Sequence, residues 1–466
     1  MDKMADPGSK RTPRAGGMAK HRATQARAVE RPQRDESQES VARELAKRFY
    51  TGRYIVVFRG HTTSEAMSTL KKTSGLQVAS SGDFSDRAAI APGTLGSAVY
   101  LESLGIAIAE APLDQLHGLG ISAANRLQIV PERFMFVAGS SLLQRTYLEG
   151  YRAGVNGLID DLLRRTEDDA SAPPPTQRLN TAGLNDEFTW GLLKSGVSRS
   201  SQTGKGIKIA ILDTGYDQNH PDLTHRVALS NSFVPGSSVQ DVFGHGTHCL
   251  GIAAGLVKPV SAGPRYGCAG DSELMVGKVL GDNGSGDEGW LLNGLNWALE
   301  NGADIVSLSI EGPYDPASPV LPQYEAIGTR ALDAGRLIVA AAGNYSIRPL
   351  VTRPVASPAC ASTIMSVGAI GPDDRVASFS CAGTPAGAVD VGAPGVSIES
   401  SFPTPRTRRV DSGTSMAAPL VAGIAALHME ATPGLRGKAL WDKLLATAQG
   451  LPDGPADIGA GCVAAP

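Results

Sequence analysis

From Ile207 to Val367, short apolar runs alternate with stretches of helical periodicity, and this alternation restricts the fold of the 466-residue chain more than any other feature. Ile207 to Leu212, Leu274 to Leu280, Asp304 to Ile310, Leu337 to Ala342 and Ile364 to Val367 have the length and composition of strands. His245 to Gly255, Trp290 to Asn301, Tyr324 to Ala334 and Thr414 to Met429 read as helices. Strands without a polar face must be covered on both sides, so the pattern predicts an α/β domain with a mostly parallel sheet and helices above and below. In such a sheet, chemistry collects at the carboxyl ends of strands and at helix N-termini.

The chain is too long for one ordinary core and divides by composition. Residues 1–40 combine low hydrophobicity with mixed charge and predict disorder. They hold no apolar run of the kind a classical signal peptide needs, so the literal reading is cytoplasmic, with unconventional secretion as the alternative. Residues 41–140 read as strand (Arg53 to Arg59), helix (Ser64 to Lys72, opened by a capping Ser64), one or two strands (Ala98 to Ala109), helix (Pro112 to Leu119) and strand (Leu127 to Val137). That β-α-β-β-α-β order is the order of a small ferredoxin-like α+β domain. Residues 141–182 begin with an amphipathic helix, Ser141 to Arg165, and continue through an acidic linker containing Pro173-Pro174-Pro175. Residues 183–466 form the α/β domain.

Several function classes drop out. A net charge of −3 without a basic stripe argues against nucleic acid, and no stretch is long and apolar enough to span a bilayer. Five cysteines without CxxC spacing make neither a zinc site nor a dense disulfide scaffold. Buried free thiols are the favoured reading, with one or two disulfides as the alternative.

Four residues could carry chemistry. Asp213 ends an apolar strand, where burying a lone carboxylate is costly. His245 stands between Gly244 and Gly246 at a helix start, and His248 follows three residues later with no third metal ligand nearby in sequence. Ser415 sits at the head of a small-residue helix, either as a cap or as a nucleophile favoured by the helix dipole and free N–H groups. Asn344 follows Ala342-Gly343 at a strand end, either as a turn residue or as an amide donor.

Taken in order, these segments resemble the signature blocks of the subtilisin family of serine peptidases, whose triad runs Asp, His, Ser along the chain. The resemblance spans Trp190 to the C-terminus. It implies a three-layer α/β catalytic domain, a triad of Asp213, His245 and Ser415, and an oxyanion donor in Asn344. No metal or organic cofactor is required for the chemistry. It also implies substrate-binding segments at Gly284, Ser285 and Gly286, at Ser309, Ile310, Glu311 and Gly312, and at Ala341, Ala342 and Gly343. An extended polypeptide substrate would lie between the first two as an added strand. The family usually carries Gly where this chain has Glu311, which reads either as a specificity carboxylate favouring Lys or Arg or as a solvated loop charge. Ala356 aligns with the pocket floor. Cys249 follows His248 as in the proteinase K branch, and otherwise reads as a small buried helix residue. Asp222 matches a calcium-ligand position, but Val257 to Gly267, in place of the loop supplying the other ligands, has no carboxylate or amide side chain, and structural calcium is left undetermined. The ferredoxin-like segment resembles the family's inhibitory propeptide, making it an expected partner of the enzyme. Its cleavage point is expected near Val137 to Ser141 or in the linker.

Overall fold

The computed structural model describes residues 49–83, 96–122, 127–138, 187–313 and 321–466. The segment 1–40, the helix Ser141 to Arg165 and the Pro-rich linker lie outside them.

The N-terminal domain contains β1 (Tyr50–Phe58), α1 (Thr63–Ser74), β2 (Gln77–Ser80), β3 (Ser97–Leu101), β4 (Ile106–Glu110), α2 (Leu113–Ser122) and β5 (Leu127–Val137). Its sheet runs β5-β1-β4-β3 with antiparallel neighbours, and the short β2 lies parallel to β3 at the outer edge. This is the ferredoxin-like order. The first helix is capped by Thr62, with Glu65 completing a reciprocal capping box, and not by Ser64 as the sequence suggested. The run Ile55-Val56-Val57-Phe58 is buried throughout because both of its faces are covered. Val56 and Phe58 pack with Ala66, Leu70, Leu116 and Leu119 of the domain's own helices. Ile55 and Val57 join a second core with Leu291, Leu295, Tyr324 and Ile327 of the α/β domain.

The α/β domain follows with α3 (Trp190–Lys194), β6 (Lys208–Asp213), β7 (Val227–Ser232), α4 (His245–Ala254), β8 (Glu273–Lys278), β9 (Ser285–Asp287), α5 (Glu288–Glu300), β10 (Ile305–Leu308), β11 (Ile310–Glu311), α6 (Pro322–Asp333), β12 (Leu337–Ala341), β13 (Met365–Ile370), β14 (Val391–Pro394), β15 (Ile398–Phe402), β16 (Thr407–Asp411), α7 (Thr414–Ala431), α8 (Gly437–Thr447) and α9 (Pro455–Ile458). Seven strands form a wholly parallel sheet in the order β14-β13-β12-β10-β6-β8-β7. Ile209 and Ile211 of β6 point to the layer containing α4 and α7, while Ala210 and Leu212 point to the layer of α5 and α6. The α/β class and the parallel sheet expected from the sequence are therefore borne out.

Helix α7 is buried on every side from Thr414 to Met429, which its small residues allow. Pro419 lies inside it and cannot donate to the carbonyl four residues back, that of Ser415. Ser309 Oγ (2.8 Å) and Cys249 Sγ (3.4 Å) donate to that carbonyl instead. A proline that would ordinarily break a helix thus ties the helix start to two neighbouring segments. All five cysteines are free and buried.

Candidate active site

The site lies where β6, α4 and α7 meet. Asp213 is the last residue of β6 and is fully buried. Its carboxylate accepts the backbone N–H of Thr214 at 2.7 Å and faces His245 Nδ1 at 2.8 and 3.0 Å. His245 opens α4, only 9% of its side chain exposed. The close approach depends on Gly246, because a Cβ there would stand 2.2 Å from the Gly215 carbonyl. Burial pulls the imidazole pKa down, but the Asp213 carboxylate beside it holds it well above the usual value.

Two residues that hold this arrangement were not singled out in the sequence. Asp241 is buried and accepts from Gly244 N–H (2.7 Å), Thr247 N–H (2.9 Å) and Thr247 Oγ (2.6 Å), so it fixes the first turn of α4. It also accepts from Thr214 Oγ1 at 2.9 Å, and that oxygen receives the N–H of Gly246 at 2.8 Å. Lys278, fully buried, donates to the carbonyls of Thr214 (2.6 Å) and Gln240 (3.2 Å) and to Asp282 (2.8 Å). The legible signal for Asp241 was a carboxylate shortly before a helix start, a common capping pattern.

His248 turns away from the site. Its Nε2 donates to the Arg409 carbonyl at 3.0 Å, and burial holds its pKa down at about 3. Cys249, not His248, is the neighbour of His245: its sulfur is 3.7 Å from Nδ1. Donor atoms of Asp213, His245 and Cys249 lie within 4.8 Å of one another, so a third candidate ligand does stand beside His245. Burial raises the Cys249 pKa, and its S–H is directed to the Ser415 carbonyl, which leaves it a neutral packing group.

Ser415 lies in the first turn of α7. Its hydroxyl donates to the carbonyl oxygen of Ala138, 3.1 Å away and 277 residues earlier. Asn344 is 4% exposed, and its Oδ1 accepts from Thr414 N–H (2.9 Å) and Thr414 Oγ1 (3.0 Å). Those two bonds fix the amide so that Nδ2 projects as a buried donor without a hydrogen-bond partner among the described residues.

The segment ending at Ala138 is the second half of β5. That strand is eleven residues long; its first part pairs with β1 and its end leaves the N-terminal domain. It runs antiparallel to both β9 and β11, with Phe134 opposite Asp287, Met135 opposite Gly286, Phe136 opposite Ser285 and Glu311, and Val137 opposite Ile310. Val137 N–H donates to the Gly284 carbonyl (2.9 Å), and Ala138 N–H donates to the Ser309 carbonyl (3.1 Å). Both edges named from the sequence are thus occupied by one extended segment of the same chain. Glu311 is fully buried, which excludes the solvated loop charge considered from the sequence.

Asp222 does not fit a calcium site. One carboxylate oxygen accepts from the N–H groups of Val260 (2.5 Å) and Ser261 (2.9 Å). The other accepts from Ser261 Oγ and from Tyr266 Oη (2.6 Å). Both oxygens are spent on protein donors, and Arg408 stacks on Tyr266 at 4.7 Å to close that side.

A buried carboxylate bonded to an imidazole, with a serine at the head of a neighbouring helix and a doubly covered parallel sheet behind them, is an arrangement compatible with a serine-type hydrolase. Comparison with known proteins gives the family: the subtilase family profile matches residues 204–461. Subtilisin of Bacillus pumilus is 38% identical over 248 residues, covering 53% of this chain and 85% of that protein. Subtilisin E of Bacillus subtilis is 37% identical over 248 residues, covering 53% of this chain and 61% of the relative's length. The major intracellular serine protease of Bacillus subtilis is 36% identical over 230 residues, covering 48% and 68%. The chain belongs to the subtilase family, the subtilisin-like serine endopeptidases. The matched residues begin after the N-terminal domain. No helix among the described residues is long and apolar enough to cross a membrane.

Proposed function

We propose that the chain is an endopeptidase made as a zymogen, that Ser415 is its nucleophile, and that its first substrate is its own Ala138–Gly139 bond. His245 takes the Ser415 proton, and the freed oxygen attacks a peptide carbonyl. Asp213 fixes the imidazole tautomer and stabilises the imidazolium. Asn344 Nδ2 and the Ser415 backbone N–H receive the oxyanion, which needs donors already desolvated and oriented. His245 then gives its proton to the leaving amine, and water hydrolyses the acyl-enzyme. Substrates are extended polypeptides that add a strand between β9 and β11.

The observation that carries this reading is the Ala138 carbonyl held against the Ser415 hydroxyl, with the spare amide of Asn344 buried in the same site. The N-terminal domain then acts as an inhibitory propeptide, because its last strand fills the cleft in the manner of a product. A fluorophosphonate probe tests the nucleophile. The processed protein is expected to be labelled at Ser415, as mapped by peptide mass spectrometry, and the Ser415→Ala variant to remain unlabelled. Absence of labelling in processed wild type would overturn the assignment.

A further inference from the structure

We propose that Glu311 fills the pocket for the side chain ahead of the scissile bond, and so restricts that residue to alanine, glycine or serine. This rests on the peptidase reading above and narrows its substrate class.

Ala138 sits with its N–H on the Ser309 carbonyl and its own carbonyl on Ser415. The slot for its side chain is therefore bounded by Ser309 to Gly312 on one side and by Ala341 to Asn344 on the other. Along an extended segment, residues two apart point to the same side. Ser309 Oγ points inward, to the Ser415 carbonyl at 2.8 Å, so Glu311 also points inward.

Its reach is fixed from the opposite wall. A Cβ placed on Gly343 would stand 3.1 Å from the Ala356 methyl, 3.2 Å from Cys381 Sγ and 3.2 Å from Glu311 Oε2. The Glu311 carboxylate thus crosses the slot from its own strand and meets the far wall next to Ala356. Asn344 N–H donates to Oε2 at 3.3 Å and holds it there. The floor is tied to both walls, through Ala356 N–H to the Ala342 carbonyl and Gly312 N–H to the Ser357 carbonyl, each 2.9 Å. Glu311 is fully buried, with Phe136 opposite it in the β5–β11 register.

The rival role for this carboxylate is to read a basic side chain, which needs the slot empty and the charge free. Volume and charge are separable by substitution. Kinetics on three peptides that differ only in Ala, Phe or Lys ahead of the cut are compared for wild type, Glu311→Gly and Glu311→Gln. Wild type is expected to prefer Ala. Glu311→Gly is expected to raise the Phe-to-Ala ratio of kcat/KM at least about tenfold, the scale of discrimination by pocket volume. Glu311→Gln keeps the wild-type ranking, because it fills the same space. Glu311→Ala provides the same comparison if glycine loosens the strand. A wild-type preference for Lys that Glu311→Gln removes would overturn the proposal in favour of charge reading. An unchanged Phe-to-Ala ratio in active Gly and Ala variants would place Glu311 outside the pocket. Wild type that cleaves none of the peptides and resists the fluorophosphonate would instead sink the peptidase reading itself.

Discussion

Glu132 of the N-terminal domain accepts the backbone N–H of Gly289 at 2.8 Å, across 157 residues of sequence. Gly289 is the second residue of α5, so a carboxylate of one domain occupies the N-terminal end of a helix in the other. Arg53 grips the same carboxylate at 2.6 and 2.8 Å and reaches Asp287 at 2.8 Å. Glu132 is fully buried, so truncating it would leave the Gly289 N–H without its acceptor and Arg53 with Asp287 alone of the two carboxylates. Glu132→Ala is expected to weaken inhibition by the N-terminal piece at least about tenfold, since breaking a buried charged contact costs about 2 kcal/mol or more. Inhibition constants for the isolated pieces check this, and equal values would contradict it.

Asn344→Ala is expected to lower kcat roughly 100- to 1,000-fold with little change in KM. The amide has one free donor and two bonds that only position it, so its loss should be felt in the transition state. A change confined to KM would make it a turn residue.

The charge state of His245 sets a pH dependence. With the cleft filled, the Asp213 carboxylate overcomes the effect of burial and keeps the imidazole protonated above its ordinary pKa of 6.5. A general base must be neutral, so the first cut should accelerate as pH rises through that raised value. Linkage runs the same way: a raised pKa stabilises this arrangement fully below the unfolded value and loses that contribution as pH rises through the folded one. Processing followed by gel at a series of pH values is expected to be slowest in acid. A rate that falls toward alkaline pH would contradict this.

The spent carboxylate of Asp222 predicts that Asp222→Asn leaves any effect of a chelator on the melting temperature unchanged. Asp222→Asn should lower stability by about 1–3 kcal/mol by leaving buried donors without an acceptor. A calcium-reversible effect of the chelator that Asp222→Asn abolishes would contradict this.

Much of this architecture was legible because it follows from burial. Strands β6, β8, β10, β12 and β13 are apolar on both faces, so their sequences carry the signal directly. The edge strand β7, Val-Ala-Leu-Ser-Asn-Ser, is only half covered and carries no such run. The β15–β16 hairpin was equally hidden, since Thr407 to Asp411 is polar and charged. Asp213, Ser415 and Asn344 each read singly as a cap or turn residue and His245 as a histidine between two glycines, and it was the order of all four, resembling the family's signature blocks, that picked them out. Lys278 and Glu132 did not stand out, because each works through backbone groups far off in sequence, and Asp241 gave only a common capping pattern. The contact between Ala138 and Ser415 joins positions 277 residues apart and left no local pattern.

That contact is the centre of the account, and the termini of the processed protein test it most directly. Wild type and Ser415→Ala are to be expressed as the full chain and their products measured by intact mass and N-terminal sequencing. Loss of the triad nucleophile removes on the order of a millionfold in turnover. Wild type is expected to yield two pieces separated between Ala138 and Gly139, while Ser415→Ala stays a single chain. Cleavage of the Ser415→Ala chain at that bond, or a wild-type chain that stays whole and fully active, would contradict the account.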